Sequence, residues 1–386
     1  MPDAPKPAKQ KLSPAQLIGY ALALLTGAAI GFFGMMAVDD LAQGNFLLFL
    51  AYVLVMLLGM VLAYFGQIVL HEGGHMLFGL LTGYRFISFN ILGFIWQKGA
   101  DGKIRTGRMQ IASAGGQCLM APPEDDDGHY PFVLYNLGGV LMNLLSAVLF
   151  SVLAAVIPLA PVRILLIAQA VVGVALGLLN GLPLPTPALQ NDGKNLLCIA
   201  RDAHARRAFW VQLAMAAEQA RGRRLKDMPD KWFAPFPEEK MGNPLVAAIA
   251  VLHASRLMDM LDFAQAEREI RSLLARREGL VGLYRMSLAC DGAVCELIAG
   301  RPGTLTASLA SAQNQQLMKA MPKNPSILRT KYALALLRDR DAARAEEHLA
   351  LFDTAAIFHP YPQEIEAERE IILAIQNAAL NGGVSA

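Results

Sequence analysis

Four long stretches of this chain contain no Asp, Glu, Lys or Arg: 12–38, 41–70, 130–162 and 164–191. A helix needs about 20 predominantly apolar residues to cross the hydrocarbon core of a bilayer, and each stretch is long enough. Only 17% of the 386 residues are charged and 54% are hydrophobic, whereas a soluble domain carries about 25% charged residues. The sequence therefore predicts about four membrane spans, at 14–38, 45–70, 133–157 and 163–184. The first is too long for a signal-peptide core and lacks a clear cleavage site, so it is expected to stay. This composition excludes collagen-like, disordered and disulfide-scaffold chains. The net charge of +2 comes with no extended Lys/Arg run, so no nucleic-acid partner is expected.

Basic residues cluster on three flanks: Lys6, Lys9 and Lys11; Arg85, Lys98, Lys103, Arg105 and Arg108; and Arg201 through Lys226. The segment 39–44 has none, and the loop between the third and fourth spans has only Arg163. With four spans the three basic flanks share one side, which the positive-inside rule makes cytoplasmic. The expectation is a multi-pass protein of a bacterial cell membrane with both termini cytoplasmic. Cys118, Cys198, Cys290 and Cys295 contain no CxxC pair, which fits reduced thiols facing a cytosol. Cys290 and Cys295 alone are too few ligands for a zinc site.

The fold expected is mainly α. Residues 1–44 hold the N-terminal tail and first span, 45–200 a membrane core, 201–244 a basic helix and Pro-rich linker, and 245–386 a soluble helical domain. Within the core, Tyr84–Gln97 is rich in aromatic and β-branched residues, and Asp101-Gly102 is a turn signal ahead of Lys103–Ala114. Together they predict a small cytoplasmic β-hairpin, with Tyr84 and Trp96 as anchors at the membrane interface. The run Glu124–Asp127 reads as a solvated loop. Pro229, Pro235, Pro237 and Pro244 mark the linker. Beyond it, helical apolar spacing covers Leu245–Arg276, Leu283–Ala299, Ser326–Arg338, Ala342–Phe352 and Glu364–Leu380. Pairs such as Tyr332–Arg338 with Ala342–Leu351 are similar to tetratricopeptide hairpins, but the 34-residue consensus is missing. A TPR-like array and an irregular bundle both stay open, and either would serve as a docking platform for a protein partner.

The second apolar run continues without a proline into His71-Glu72-Gly73-Gly74-His75. On a helix, residues i and i+4 project from one face, so both imidazoles can reach one ion. The glutamate between them lies beside a metal-bound water, which suits a general base. Three ionisable residues within five positions are costly near hydrocarbon and mark a functional site. Gly73 and Gly74 each cost about 1 kcal/mol of helix propensity, which points to another backbone packed closely there. Two histidines and a water leave one protein ligand to find. The candidate is Asp192, the only acid between Asp127 and Asp202, after a span interrupted by Pro183, Pro185 and Pro187. These prolines break the helix and free backbone groups that need satisfying inside protein or a watery cavity.

At this point the chain resembles the site-2 family of intramembrane zinc metalloproteases. Their core has H-E-x-x-H on one membrane helix and N-x-x-P followed by D-G on a later one. His71, Glu72 and His75 match the first motif; Asn180, Pro183, Asp192 and Gly193 match the second. Gly139 and Asn143 are similar to the family's G-P-x-x-N element, with Val140 in place of the proline. The resemblance covers roughly 45–200 and departs from the pattern in the nine positions between Pro183 and Asp192 and in the single glycine after the aspartate. It implies that His71, His75 and Asp192 bind Zn2+ and that Glu72 activates the water. It further implies that Asn180 and Asn143 face the substrate, a membrane-bound peptide or single-span protein, although a structural cap at the broken helix fits Asn180 as well. An extended substrate could add as a strand to the hairpin. Two other readings are a membrane metalloprotease of another class, with a glutamate such as Glu124 as third ligand, and a non-catalytic membrane scaffold whose helical tail recruits partners.

Overall fold

In the computed structural model, residues 27, 31–32, 34–36, 38–99, 101–108, 115–124, 129–183, 191–276 and 278–382 are described. Among them, three helices are long and apolar enough to cross a membrane: α1 (Phe46–Leu81), α2 (Phe132–Val156) and α3 (Ala160–Gly181). Most of the first expected span, 14–38, and residues 125–127 of the acidic run lie outside the described residues. At 36 residues, α1 is about 54 Å long and exceeds the thickness of a hydrocarbon core. The H-E-x-x-H motif sits on its last turns, as the uninterrupted apolar run requires. No proline intervenes to stop the helix before Leu81.

The described residues group into two compact units, one within Met1–Gly74, Asn136–Thr186 and Gln190–Leu196, the other within His75–Tyr135, Pro187–Leu189 and Leu197–Ala386. In the first, α1 packs against α2 and α3 through small side chains. Ala63, Ala168 and Val172 form a buried cluster. A Cβ on Gly74 would lie 2.2 Å from the Gly138 carbonyl oxygen, so only glycine allows these backbones to approach. Gly73 has open space around it, so the close packing expected of the glycine pair belongs to Gly74 alone. Leu54, Leu145, Val148 and Val152 point outward, which suits a lipid environment.

In the second unit the expected hairpin is part of a four-stranded antiparallel sheet of order β3-β2-β1-β4. The strands are β1 (Arg85–Ile91), β2 (Phe94–Lys98), β3 (Ile104–Arg108) and β4 (Gly116–Ala121). Phe89 pairs with Trp96 on one side and Cys118 on the other. Leu92 and Gly93 both have positive φ, so a tight two-residue turn reverses the chain inside what reads as one continuous strand. Asp101-Gly102 makes the second turn as expected, with the Asp101 carboxylate accepting from Lys103 N. Trp96 is exposed, but Tyr84 is not the interface anchor expected of it. It is 2% exposed and stacks on Tyr135 with ring centroids 4.5 Å apart.

The sheet and the C-terminal helices share a core: Ile87 and Ala121 pack with Ala217, Ala220 and Tyr361. The chain after Asp192 continues as α4 (Asp192–Arg201), α5 (Ala203–Ala220), α6 (Pro244–Asp259), α7 (Phe263–Leu274) and α8 (Gly282–Ile298). It ends with α9 (Thr304–Ser308), α10 (Ala312–Ala320), α11 (Pro325–Ala333), a π-helical turn over Leu334–Asp339, α12 (Ala342–Ile357) and α13 (Pro362–Asn381). The expected linker is ordered instead: Met228, Phe233 and Met241 are buried between short 3-10 turns. The expected helix Leu245–Arg276 divides because Leu261 adopts a left-handed conformation and Asp262 caps α7 by accepting from Gln265 N. Helix lengths from 5 to 20 residues do not repeat regularly, which fits an irregular array better than tetratricopeptide repeats.

Candidate metal centre

His71, Glu72 and His75 are all buried on the last turns of α1. Asp192 opens α4, where the helix N-terminus favours a carboxylate. His71 Nε2 lies 3.1 Å from Asp192 Oδ2. One ligand atom from each of His71, His75 and Asp192 falls within 4.8 Å of the other two. Ligands held 2.0–2.2 Å from a tetrahedral zinc lie about 3.3 Å apart, so this donor set suits one such ion.

The hydrogen bonds behind the histidines fix which nitrogen is available. The carbonyl oxygen of Gln169 can only accept, so Gln67 Nε2 donates to it at 3.1 Å. That turns Gln67 Oε1 toward Asn143 Nδ2, which donates to it at 2.7 Å and to the Gln67 carbonyl at 3.0 Å. Asn143 Oδ1 is thereby presented to His71 Nδ1 at 2.6 Å, and Nδ1 must carry the proton. His75 Nδ1 donates in the same way to the Tyr135 carbonyl at 2.7 Å. Both imidazoles are therefore anchored through Nδ1, which leaves Nε2 as the nitrogen that can serve as a metal ligand, the arrangement found behind metal-ligating histidines. A bare Nε2 and a carboxylate oxygen 3.1 Å apart repel unless a cation or a proton lies between them.

The backbone around this centre is tight. A Cβ on Gly139 would lie 2.5 Å from the His71 ring, so the imidazole rests directly on the α2 backbone. A Cβ on Gly193 would lie 2.0 Å from the Gly181 carbonyl oxygen, which locks the start of α4 onto the end of α3. Asn191 brackets the same break: Nδ2 donates to Leu179 O at 2.8 Å and Leu182 O at 2.6 Å, while Oδ1 accepts from Lys194 N. The carboxylate of Asp192 is placed by these contacts.

The structure thus brings together His71, His75 and Asp192, with Glu72 beside the first histidine. Asn143 occupies a different place from the substrate contact expected of it. Its side chain is fully buried and both ends of its carboxamide are taken by protein atoms. Asn180 donates back to Leu176 O at 3.1 Å, as a polar side chain on the last turn of α3 can. Sequence reasoning missed Gln67, Asn191 and the Tyr135 carbonyl. Gln67 had a signal, since it is the lone amide among apolar residues one turn before His71. Asn191 had one in being a capping residue ahead of Asp-Gly. The Tyr135 carbonyl had none, because a backbone acceptor leaves no trace in the sequence. Comparison of the chain with family models, with curated proteins and with solved structures finds no match.

Proposed function

We propose that this protein is an integral-membrane zinc endopeptidase of the site-2 type, cutting a transmembrane or membrane-bound peptide near the cytoplasmic face. The observation that carries the reading is the split donor set: two histidines one turn apart and an aspartate 117 or more positions later, with each ring anchored through Nδ1. His71, His75 and Asp192 would hold the zinc, which would supply a water that is nucleophilic near neutral pH. Glu72 would be the carboxylate that moves its proton. Asn143 and Tyr135 hold the two imidazoles in the required tautomer. Asn180 would have to turn away from Leu176 O before it could donate to a substrate carbonyl. β3 is an outer strand of the sheet and offers an extended peptide a place to pair, which exposes amide bonds that a helix hides. Both termini are cytoplasmic in this reading.

The rival class with a glutamate third ligand is disfavoured, because Glu124 is 83% exposed and pairs with Arg85 at 3.3 Å. The deciding experiment is bound zinc per chain in detergent-purified wild type, Asp192→Ala and Glu72→Gln. About one zinc is expected in wild type and in Glu72→Gln, with a marked loss in Asp192→Ala. Glu72→Gln should also abolish cleavage and retain uncut peptides. Cleavage at the wild-type rate by that variant would overturn the mechanism, and a wild type purified without chelators yet free of zinc would leave the scaffold reading.

A further inference from the structure

Far along the chain, the C-terminal helices enclose a groove of about 630 Å³ between the α9–α10 pair and the π-helical turn that joins α11 to α12. Such a volume lies in the range of ligand sites. Its floor is apolar: Leu309, Met318, Leu334 and Ala335. Its rim is basic: Lys319, Lys331, Arg338 and Arg344. The one acid that lines it, Asp339, is already engaged, accepting from Arg338 Nε at 2.7 Å with Arg344 3.9 Å away. Lys319 and Lys331 have no ion-pair partner among the described residues, and His348 Nδ1 is buried there without a hydrogen bond. Burial and the nearby Lys331 hold the His348 pKa below its ordinary value. The wall itself is unusual. Leu334–Asp339 is π-helical and Arg340 is left-handed, and π segments recur at functional sites.

We propose that this groove binds an acidic, apolar peptide segment of a partner protein. The unbalanced cations call for carboxylates, and the floor calls for Leu- or Phe-like side chains between them. A bilayer surface fits less well, since the apolar floor lies below the basic rim in a concavity that a flat leaflet does not enter. A nucleic acid fits poorly too, because no Phe, Tyr or Trp lines the groove for stacking. The proposal is independent of the metal centre and stands or falls separately from it.

The test is selection of a phage-displayed random decapeptide library on the full-length protein in detergent, with wild type and Lys319→Glu/Lys331→Glu in parallel. Wild type should enrich decapeptides that combine Asp or Glu with Leu, Ile, Phe or Met. The best of these, fluorescein-labelled, should bind with an affinity that falls about tenfold or more in the reversed variant and weakens with added salt. Lys319→Gln/Lys331→Gln, which removes charge without reversing it, serves if the reversed variant does not fold, and the zinc content of either should match wild type. No enrichment, enrichment without acidic bias, or equal binding by the variants overturns the proposal. Binding of glycerophosphoserine in place of peptides also overturns it and assigns the groove to a lipid headgroup.

Discussion

Replacing Asn143 with leucine tests the core of the metal-centre argument, because it changes nothing that would touch the ion. The side chain makes three hydrogen bonds at a fully buried position: from His71 Nδ1 at 2.6 Å, to Gln67 O at 3.0 Å and to Gln67 Oε1 at 2.7 Å. Leucine has nearly the same shape and removes all three. His71 then keeps its ring but loses the acceptor that holds its proton on Nδ1, so the tautomer with a bare Nε2 is no longer favoured. Loss of such a partner typically weakens metal binding about 10- to 100-fold, equivalent to about 1.4–2.7 kcal/mol. The cost of orphaning one buried donor, about 1–3 kcal/mol, gives the same range independently.

The assay is zinc affinity of the detergent-purified protein by competition with a chromophoric chelator, with thermal unfolding recorded on the same samples. Asn143→Leu should bind zinc about 10- to 100-fold more weakly. Asn143→Asp separates the tautomer from mere packing. Its carboxylate still accepts from His71 Nδ1, but its second oxygen meets the two Gln67 oxygens that Asn143 Nδ2 served. That variant should keep zinc near the wild-type affinity while unfolding at a lower temperature. Unchanged affinity in a folded Asn143→Leu would refute the reasoning. An equal loss in both variants would attribute the effect to packing alone.

Other consequences follow from the same geometry. Gly139→Ala puts a methyl into the His71 ring, so it should reduce bound zinc while leaving the far-UV circular dichroism helical. Gly193→Ala drives α4 off the Gly181 carbonyl and should mimic Asp192→Ala in zinc content although every ligand is present. In the soluble helices, Asp291, Glu364 and Glu368 share a cavity of about 270 Å³ with the buried Arg329. Burial pushes Glu368 up to about 7 against the pull of Arg329. Its folded pKa lies above that of a free glutamate, so its contribution is present below about pH 4.5 and is lost as pH rises through 7. The unfolding temperature should therefore fall between pH 5 and pH 8, and Glu368→Gln should flatten that slope.

The apolar helices were legible because hydrocarbon imposes a length and a composition that no other environment demands. The H-E-x-x-H pair was legible because the helical period alone brings residues 71 and 75 to one face. The sheet was only half legible. Leu92-Gly93 reads as strand, since an αL leucine is a conformation that tertiary pairing imposes against its own preference. β4 carries no polar alternation because both of its faces are covered: Cys118 and Met120 lie in the main core, and Leu119 and Ala121 pack with Ala217, Ala220 and Tyr361. Asn143 was found for the wrong role. Its spacing from Gly139 marks it as near the histidines, but only the direction of its carboxamide, set by Gln67 and ultimately by the Gln169 carbonyl, says that it faces His71. Composition and periodicity record which face a residue is on, and hydrogen-bond direction is decided by partners distant in the chain.

The choice between a protease and a metal-stabilised scaffold turns on what the donor set leaves open. A structural zinc site closes its tetrahedron with four protein ligands, whereas a catalytic one keeps a position for water. Among the described residues the centre offers three ligands, and the next ionisable group along α1 is Glu72, a general base by chemistry. A closed structural site has no use for a carboxylate beside its ligands, whereas hydrolysis needs a base next to the water position. Glu72→Gln therefore separates the two readings even before any substrate is known. In a scaffold, the zinc-loaded variant should retain no peptide, as wild type does. In the protease, the same variant keeps its zinc and accumulates uncut membrane peptides that wild type does not hold.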